Sequence, residues 1–369
     1  MAKRMFDAAE MLADRYGTYA RNFPGAWRSD REEYWVFDSD TCRRLLTDDR
    51  LTSKRDRLAK MALQYDFDEL AEFLSQWLMY TDGPDHADAR REVSASLSGP
   101  FDRAEFDSWV PQFKAELSER VEIDVVGDFA RPWASRYILA YCGLPARYYA
   151  EVTPLLSPIA TLPGMIVPTE IAFGAASNAL AALLRCLPSA FVTPNSLLAS
   201  IDWDSKALDG ARRRARFLNV LVDGIEPTIG GLASSIVLTA QGVRNSPECS
   251  PVAPIRSARA RLAAEAPFQF VARLATQDLR IHSEDVPSGT RVIICLGAAN
   301  RQIEDALDLT FGTGQHRCLG ERIALSCIDE AHEILTDWAP RGVRLIGDPV
   351  WTPSLGYRLL SSATVARVL

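Results

Sequence analysis

The sequence predicts a mainly α-helical fold with small β-sheets, and three observations support this. Several segments carry apolar residues at three- and four-residue spacing, the pattern of a helix with one buried face. Strand-like runs are few and short. The chain has 369 residues, of which 47% are hydrophobic and 24% charged, an ordinary composition for a globular protein with a large core. No linker, charge block or internal repeat divides it, so residues 1–369 are expected to form a single domain.

The elements follow from this periodicity in chain order. Helices are predicted at Phe6–Tyr16, Phe67–Trp77, Phe101–Val121, Trp133–Leu144, Ser177–Leu187, Ala211–Leu238 and Glu321–Trp338. Short strands are predicted at Tyr34–Phe37, Arg291–Cys295, Tyr357–Leu360 and Thr364–Leu369.

The sequence DGIEPTIGG lies in the middle of the longest predicted helix. Proline inside a helix removes a backbone hydrogen bond and costs about 3 kcal/mol, so this stretch predicts a break at Asp223–Gly231. Breaks in buried helices often mark functional sites.

Charge and cysteine content exclude several classes of protein. The formal net charge of −7 argues against nucleic acid or an anionic membrane as the main partner. No signal peptide and no apolar run of about 20 residues is evident, so a cytoplasmic protein without a membrane partner is expected. The seven cysteines are scattered without a CxxC pair, which predicts neither a disulfide framework nor a zinc site.

One of these cysteines lies in the glycine-rich sequence FGTGQHRCLGERIAL, directly before a predicted helix. Backbone N–H groups and the helix N-terminus should favour the thiolate of Cys318, which makes it a nucleophile or a metal ligand. His316 is close enough in sequence to serve as a base for a nucleophile. The apolar neighbours instead suggest a dry pocket for a large cofactor; they are Phe311, Leu319 and Ile323.

Six positions of this loop resemble the haem-binding loop of the cytochrome P450 family, in which the cysteine is the axial iron ligand. They are Phe311, Gly312, Gly314, His316, Cys318 and Gly320. The resemblance implies haem b as the cofactor. It also implies the family's triangular-prism fold, with the haem between the central helix and the cysteine loop.

Other segments extend the resemblance over nearly the whole chain. YTDGPDHADARREV resembles the segment whose His86 and Arg90 would bind a haem propionate, and PFQFVAR ends in a similar contact, Arg273. His316 would be a further propionate contact. For each of these residues the alternative is a surface ion pair. LGAANRQ and WTPSLGYRLL resemble a common bacterial segment and the β-turn over the substrate.

The sequence departs from the family near the helix that precedes Arg273. The family's Glu-x-x-Arg would fall at Ala260–Ala263, so both charged residues are alanines, and the segment before the cysteine loop is too short to hold their usual arginine partner. Loss of a whole buried ion network can be nearly neutral, whereas loss of one member costs roughly 3–5 kcal/mol. An alternative is an offset network of Arg259, Arg261 and Glu265.

A second departure concerns catalysis. Pro227 occupies the position where the family has a threonine that helps to deliver protons, and proline has no group that relays one. The protons would have to come from Glu226, Thr228, water or the substrate. Asp223, at a usually small apolar position, is expected either to pair with a basic substrate group or to be a solvated or helix-capping residue.

The resemblance therefore implies a haem-thiolate monooxygenase or oxidase that acts on a small organic molecule in specialised biosynthesis. It would use O2 and electrons from a ferredoxin, supplied by a ferredoxin reductase and docked near Arg317 and Arg322. One alternative keeps the haem but carries out peroxide-driven oxidation, isomerisation, dehydration or nitrogen-group transfer. Another is a non-enzymatic partner protein. The substrate pocket is expected to be lined by Thr52–Met79 and Pro154–Asp202.

Overall fold

Fourteen α-helices account for most of the part of the chain that the structure, a computed structural model, describes. The described residues are 4–54, 56–98, 103–165, 167–187, 208–244, 257–302 and 309–368, with side chains of the longest helix described over 210–241. The helices are α1 Ala8–Ala13, α2 Arg15–Asn22, α3 Ser39–Leu46, α4 Arg57–Gln64, α5 Asp68–Ser75, α6 Pro84–Leu97, α7 Ala104–Ser118, α8 Arg131–Tyr141, α9 Tyr149–Ala160, α10 Glu170–Cys186, α11 Leu208–Arg244, α12 Ala258–Ala264, α13 Leu296–Asn300 and α14 Glu321–Trp338.

The strands of the described residues form three small sheets. They are β1 Met5–Phe6, β2 Gly25–Arg28, β3 Glu33–Val36, β4 Leu51–Thr52, β5 Glu122–Asp124, β6 Val271–Ala275, β7 Leu279–Ile281, β8 Glu284–Val286, β9 Arg291–Ile294, β10 Val343–Trp351 and β11 Leu360–Arg367. The strand orders are β1-β2-β3-β9-β6-β4, β10-β11-β5 and β7-β8. The largest sheet thus joins strands from both ends of the chain, with β3 parallel to β9. The expected fold class, mainly α with small sheets, is confirmed.

The central helix α11 runs without interruption through Pro227, so the predicted break at Asp223–Gly231 is wrong. Tertiary packing outweighs the local cost of the proline, because most of this helix is buried. The hydroxyl of Thr228 donates a hydrogen bond of 2.6 Å to the carbonyl oxygen of Gly224, one turn earlier. The buried apolar residues of this stretch are Leu221, Val222, Ile225, Ile229, Leu232 and Ala233.

Two glycines in the same stretch allow close packing and do not end the helix. A β-carbon on Gly230 would collide with the side chain of Leu359, and one on Gly231 would lie 2.6 Å from Cδ2 of Leu262. A side chain at either position would therefore require a leucine side chain to move.

Other elements agree with the sequence in part. Helix α14 has the predicted bounds. The predicted helix Phe6–Tyr16 is instead two helices, because the carboxylate of Asp14 caps the start of α2 by accepting a hydrogen bond from the N–H of Gly17. The predicted strand at Tyr357–Leu360 is also wrong, since Tyr357 forms only an isolated bridge with Phe268.

Helix α11 is also long and apolar enough, over Gly210–Gln241, to satisfy a length and composition test for a membrane span. Its most apolar 18-residue window has a mean hydropathy of 1.3 and is 78% buried inside the protein. The core helix of a globular protein passes the same test, so this is weak evidence for a membrane segment.

Candidate functional site

The loop before α14 holds Cys318 at its tip. Gly312 and Gly314 have φ values of 66° and 71°, a region that favours glycine because other residues place Cβ too close to the backbone. The N–H of Cys318 donates a hydrogen bond of 2.9 Å to the carbonyl oxygen of Phe311, which closes the loop. The glycines thus let the loop fold back so that the cysteine precedes the helix.

The side chain of Cys318 is exposed, although many protein atoms lie around its thiol and the carboxyl of Asp223 is close enough to act on it. Burial raises its pKa, and the nearby carboxyl of Asp223 acts in the same direction. The N–H of Gly320 and the guanidinium groups of Arg90 and Arg317 lower the pKa, but by less. The expected preference for the thiolate is therefore not found in the protein alone. A cation bound to the sulfur would restore it.

The basic residues expected to bind propionates lie beside this loop. The rings of His86 and His316 are 4.3 Å apart at an angle of 39°. Burial lowers the pKa of His316 to about 4, and the positive charges of Arg273 and His86 act in the same direction. Arg90 donates a hydrogen bond to the carbonyl oxygen of Arg317, next to Cys318. The structure thus brings together the four residues that the sequence singled out.

An acidic residue that the sequence analysis missed lies among them. Asp82 accepts a hydrogen bond of 2.7 Å from Nε2 of His316 and bonds the backbone N–H groups of Ser53 and Lys54 at 2.5 and 3.1 Å. These bonds outweigh the effect of burial and lower the pKa of Asp82. Its sequence signal was its place in TDGPDH, four residues before His86.

Asp223 lies in α11, close enough to the Cys318 thiol to act on its pKa. Its side chain is half-buried, and its Oδ2 accepts a hydrogen bond of 2.5 Å from the indole Nε1–H of Trp77. Burial raises the pKa of this carboxyl to about 7, and the indole bond lowers it by less. Of the expectations for Asp223, a helix-capping role is excluded, because α11 continues on both sides of this residue.

Glu226 and Thr228 have different surroundings. Glu226 forms an ion pair of 2.8 Å with Arg131, the first residue of α8, which the sequence analysis did not identify. A small pocket is lined by Asp223, Glu226 and Pro227 but not by Thr228. Since α11 is regular, the threonine hydroxyl remains turned towards its own helix.

This small pocket, the acid pocket, has about 270 Å³ of empty space, a volume that includes open solvent. Ala160 and Thr161 belong to the stretch expected to line the substrate site, and part of that stretch, at 166 and 188–202, lies outside the described residues. The remaining lining residues are Val222, Phe268, Tyr357 and Leu359.

Charged residues also form a network near the two alanines of the lost motif. The carboxylate of Glu265 is bonded by Tyr16 at 2.5 Å, Arg358 at 3.2 Å and Arg301 at 3.4 Å. Arg259 pairs with Glu321 at the start of α14.

Arg261 lies 3.8 Å from Asp329. The three residues considered for an offset network therefore all form ion pairs, although with separate partners.

The donor set around Cys318 fits haem b. Within the described ranges, no group of three or more His, Cys, Asp or Glu side chains is placed to bind a metal ion, so the site supplies one sulfur. A porphyrin brings its own equatorial donors and needs one axial ligand, cationic partners for its propionates and apolar walls. The partly buried residues that supply the walls are Phe311, Leu319 and Ile323.

Comparison with curated proteins finds bacterial relatives, although no family model matches the chain. A putative cytochrome P450 133B2 from Xylella fastidiosa is 40% identical over 85 residues, which are 20% of this chain and about a fifth (21%) of that relative. The biotin biosynthesis cytochrome P450 of Bacillus subtilis is 23% identical over 296 residues, 70% of this chain and 71% of the relative. Pulcherriminic acid synthase of the same organism is 26% identical over 310 residues, 72% and 74% of the two chains.

Solved structures share the fold over almost the full length. P450BioI in complex with an acyl carrier protein ligated to hexadec-9Z-enoic acid has a TM-score of 0.78 at 21% identity, covering 98% of this chain and 100% of that one. Epothilone B-bound P450epoK has a TM-score of 0.79 at 19% identity, covering 98% of each chain. The expected P450 fold is confirmed. Together with the sequence relatives, this shows that the chain has the P450 fold and is similar in sequence to bacterial cytochromes P450.

Proposed function

We propose that this protein is a haem-thiolate monooxygenase or oxidase that acts on a small organic molecule in specialised biosynthesis. The observation that supports it most is the surroundings of the Cys318 thiol, where Arg90 and Asp223 are close enough to shift its pKa and the rings of His86 and His316 lie together beside the loop. Cys318 would be the axial ligand, in a loop shaped by Phe311, Gly312 and Gly320. His86, Arg90, Arg273 and His316 would hold the propionates. Haem b, when bound through a thiolate, supplies the activation of dioxygen.

The protein's own contribution is to place protons and substrate. Glu226 lines the acid pocket and pairs with Arg131, which is 39% exposed, so this pair provides a route between solvent and the pocket for proton movement. Asp223 lines the same pocket and has a pKa of about 7, suited to accepting and donating protons near neutral pH. Of the three residues, Thr228 is the least suited to deliver protons, because its hydroxyl is hydrogen-bonded to the carbonyl oxygen of Gly224.

The substrate class is supported by the relatives. The names of the two Bacillus subtilis relatives refer to biotin biosynthesis and to pulcherriminic acid, both small organic molecules. Since a fold supports many chemistries, these names indicate the class of substrate and not its identity.

Electrons would come from a ferredoxin and its reductase in a cytoplasmic, single-domain protein. Arg317 is 57% exposed beside Cys318, and Arg322 is exposed as the second residue of α14. Exposed arginines close to the cysteine loop suit an acidic electron donor, because complementary charges speed association.

One observation favours a second candidate, a haem enzyme with non-standard chemistry such as peroxide-driven oxidation. Pro227 lines the acid pocket where the family has a hydroxyl. A reaction that needs fewer delivered protons would be compatible with this residue. The non-enzymatic alternative is disfavoured, because Cys318 is kept in a complete loop.

The absorption spectrum tests the proposal. The purified protein, reduced under carbon monoxide, should show the strongly red-shifted Soret band for which the family is named. Cys318→Ser should abolish this band, whereas Cys186→Ser, at a half-buried position in α10, should keep it. An unchanged band in Cys318→Ser, or no haem after expression with ample haem supply, would contradict the proposal.

A further inference from the structure

A second and larger pocket lies between the six-stranded sheet and residues 163–165. It encloses about 590 Å³, part of it open to solvent. Its charged residues define what we call the arginine pocket, and among the described lining residues Glu33 is the only acidic one. They are Arg28, Arg31, Arg57, Arg291 and Glu33.

The buried half of the arginine pocket is a built ion-pair network. Glu33 is 1% exposed and bonds Arg28 at 3.2 Å and also Arg291. Asp30 pairs with Arg28 at 2.5 Å and lies 3.9 Å from Arg31. Two carboxylates thus face four guanidinium groups, which leaves an excess of positive charge.

Arg57 is the guanidinium that this network leaves without a carboxylate. It forms no ion pair or hydrogen bond with any described residue. Burial lowers its pKa, and repulsion from Arg31 and then from Arg291 lowers it further, with only partial compensation from Glu33. An added anion between these three arginines would remove that repulsion.

The rest of the lining is apolar. Arg28 lies over the ring of Trp35, with its guanidinium carbon 5.7 Å from the ring centroid. The pocket therefore suits a ligand with an anionic end and an apolar body. The apolar lining residues are Trp35, Pro163, Met165, Phe270, Ile293 and Leu355.

The arginine pocket shares a wall with the acid pocket. Tyr357 lines the acid pocket and its ring packs against Gly164, which lines the arginine pocket, so closely that a β-carbon there would collide with it. Tyr80, another lining residue of the arginine pocket, is near enough to influence Tyr357. The contact between Tyr357 and Gly164 thus separates the arginine pocket from the pocket that Asp223 lines.

We propose that the arginine pocket binds an oxyanion group of the substrate, a carboxylate or a phosphate ester, and that Arg57 is its principal anchor. Guanidinium groups bind both anions through paired N–H donors. This inference rests on the proposed function in one respect, namely that the anion belongs to the molecule that reacts above Cys318.

Calorimetric titration of the holoprotein tests the proposal with three probes of equal chain length: dodecanoate, dodecyl phosphate and dodecanol. At least one anion should bind about tenfold more tightly than dodecanol, because charge-assisted hydrogen bonds are the strong ones. Preference for dodecanoate would identify a carboxylate substrate, and preference for dodecyl phosphate a phosphate ester.

Substitutions of arginine test whether the anion preference arises in the arginine pocket. Arg57→Gln should remove most of the anion preference, Arg57→Lys should keep part of it, and Arg344→Gln, an exposed arginine on β10, should leave it unchanged. Arg31→Gln gives a second test should Arg57→Gln fold poorly. Equal or undetectable binding of all three probes, or an unchanged preference in Arg57→Gln, would overturn the proposal.

Calorimetry requires no turnover, so this result is separate from the carbon monoxide spectrum. A red-shifted Soret band without anion preference would leave the proposed function standing and remove the oxyanion site. Anion binding without a thiolate-bound haem would leave the oxyanion site standing and remove the proposed function.

Discussion

The indole of Trp77 donates its one N–H to the buried carboxyl of Asp223, with Nε1 and Oδ2 2.5 Å apart. Trp77 itself is fully buried after α5, whereas Asp223 lies in α11, so the bond links the two elements above the cysteine loop. Burial stabilises the neutral carboxyl and the indole stabilises the charged one. The balance gives a pKa of about 7, at which small changes in the surroundings decide the charge of Asp223.

Replacing Trp77 with phenylalanine should raise the pKa of Asp223 further, because the donor to the charged form is lost and burial remains. We expect an increase of about one pH unit, the effect of one hydrogen bond to a charged group. Infrared titration of the carboxyl C=O stretch, assigned by its loss in Asp223→Asn, measures the midpoint. Trp109→Phe, in α7, is the matched control, and a midpoint that falls or stays in Trp77→Phe would show that the indole does not stabilise the charge.

Substituting Pro227 separates helix repair from proton delivery. Pro227→Ala and Pro227→Thr both restore the backbone N–H and should raise the free energy of unfolding by up to about 3 kcal/mol. Only Pro227→Thr also places a hydroxyl at a residue that lines the acid pocket.

We therefore expect that Pro227→Thr alone lowers the hydrogen peroxide released per electron pair consumed, measured with a ligand that perturbs the haem spectrum. Equal peroxide release by the wild type and both variants would show that proline at this position does not limit proton delivery.

The sequence pointed to the cysteine loop and to the residues proposed to hold the propionates because both depend on short motifs. His86 and His316 are 230 positions apart, yet both stand in segments whose local pattern is distinctive. Asp82 lies in one of these segments but was overlooked, whereas Arg131 and Trp77 could not be found in this way, because their roles arise from pairing with residues distant in sequence. The helix break was predicted wrongly for a related reason, since burial of α11 is a tertiary effect that local propensity does not include.

Glu265 shows what such tertiary pairing contributes to stability. Its side chain is only 10% exposed and bonds Arg301, Arg358 and Tyr16, so Glu265→Gln would leave two guanidinium groups without their carboxylate. Because Arg301 is 45% exposed and its charge is screened by solvent, we expect a loss of about 2 kcal/mol, less than for a fully buried pair.

Urea denaturation compares this loss with that of an exposed pair. Asp56 and Lys60 are 2.6 Å apart with side chains 68% and 67% exposed, so Asp56→Asn should cost less than about 0.5 kcal/mol. Similar losses for the two variants would mean that the Glu265 network does not stabilise the fold.

His332 should make the protein less stable in acid. It is buried in α14, where its Nε2 and the Oγ of Ser235 in α11 are 2.7 Å apart. Burial, and the charge of Arg261, lower its pKa to about 3 from the usual 6.5. The folded protein thus keeps His332 neutral at pH values at which the unfolded chain binds a proton. Its contribution is complete above about pH 6.5 and is lost as the pH falls towards 3, by at most about 1.4 kcal/mol per pH unit.

Two variants isolate this effect. His332→Gln cannot take up the proton. Between pH 6 and 4.5, its free energy of unfolding should therefore fall less steeply with decreasing pH than that of the wild type, with a slope smaller by roughly 1 kcal/mol per pH unit. Ser235→Ala removes the hydrogen bond but leaves the imidazole buried, so it should lower stability by about 1 kcal/mol at every pH and keep the wild-type slope. Urea denaturation at a series of pH values measures both. A slope that is unchanged in His332→Gln would mean that another group, such as His316, whose pKa is also lowered by burial, governs the acid sensitivity.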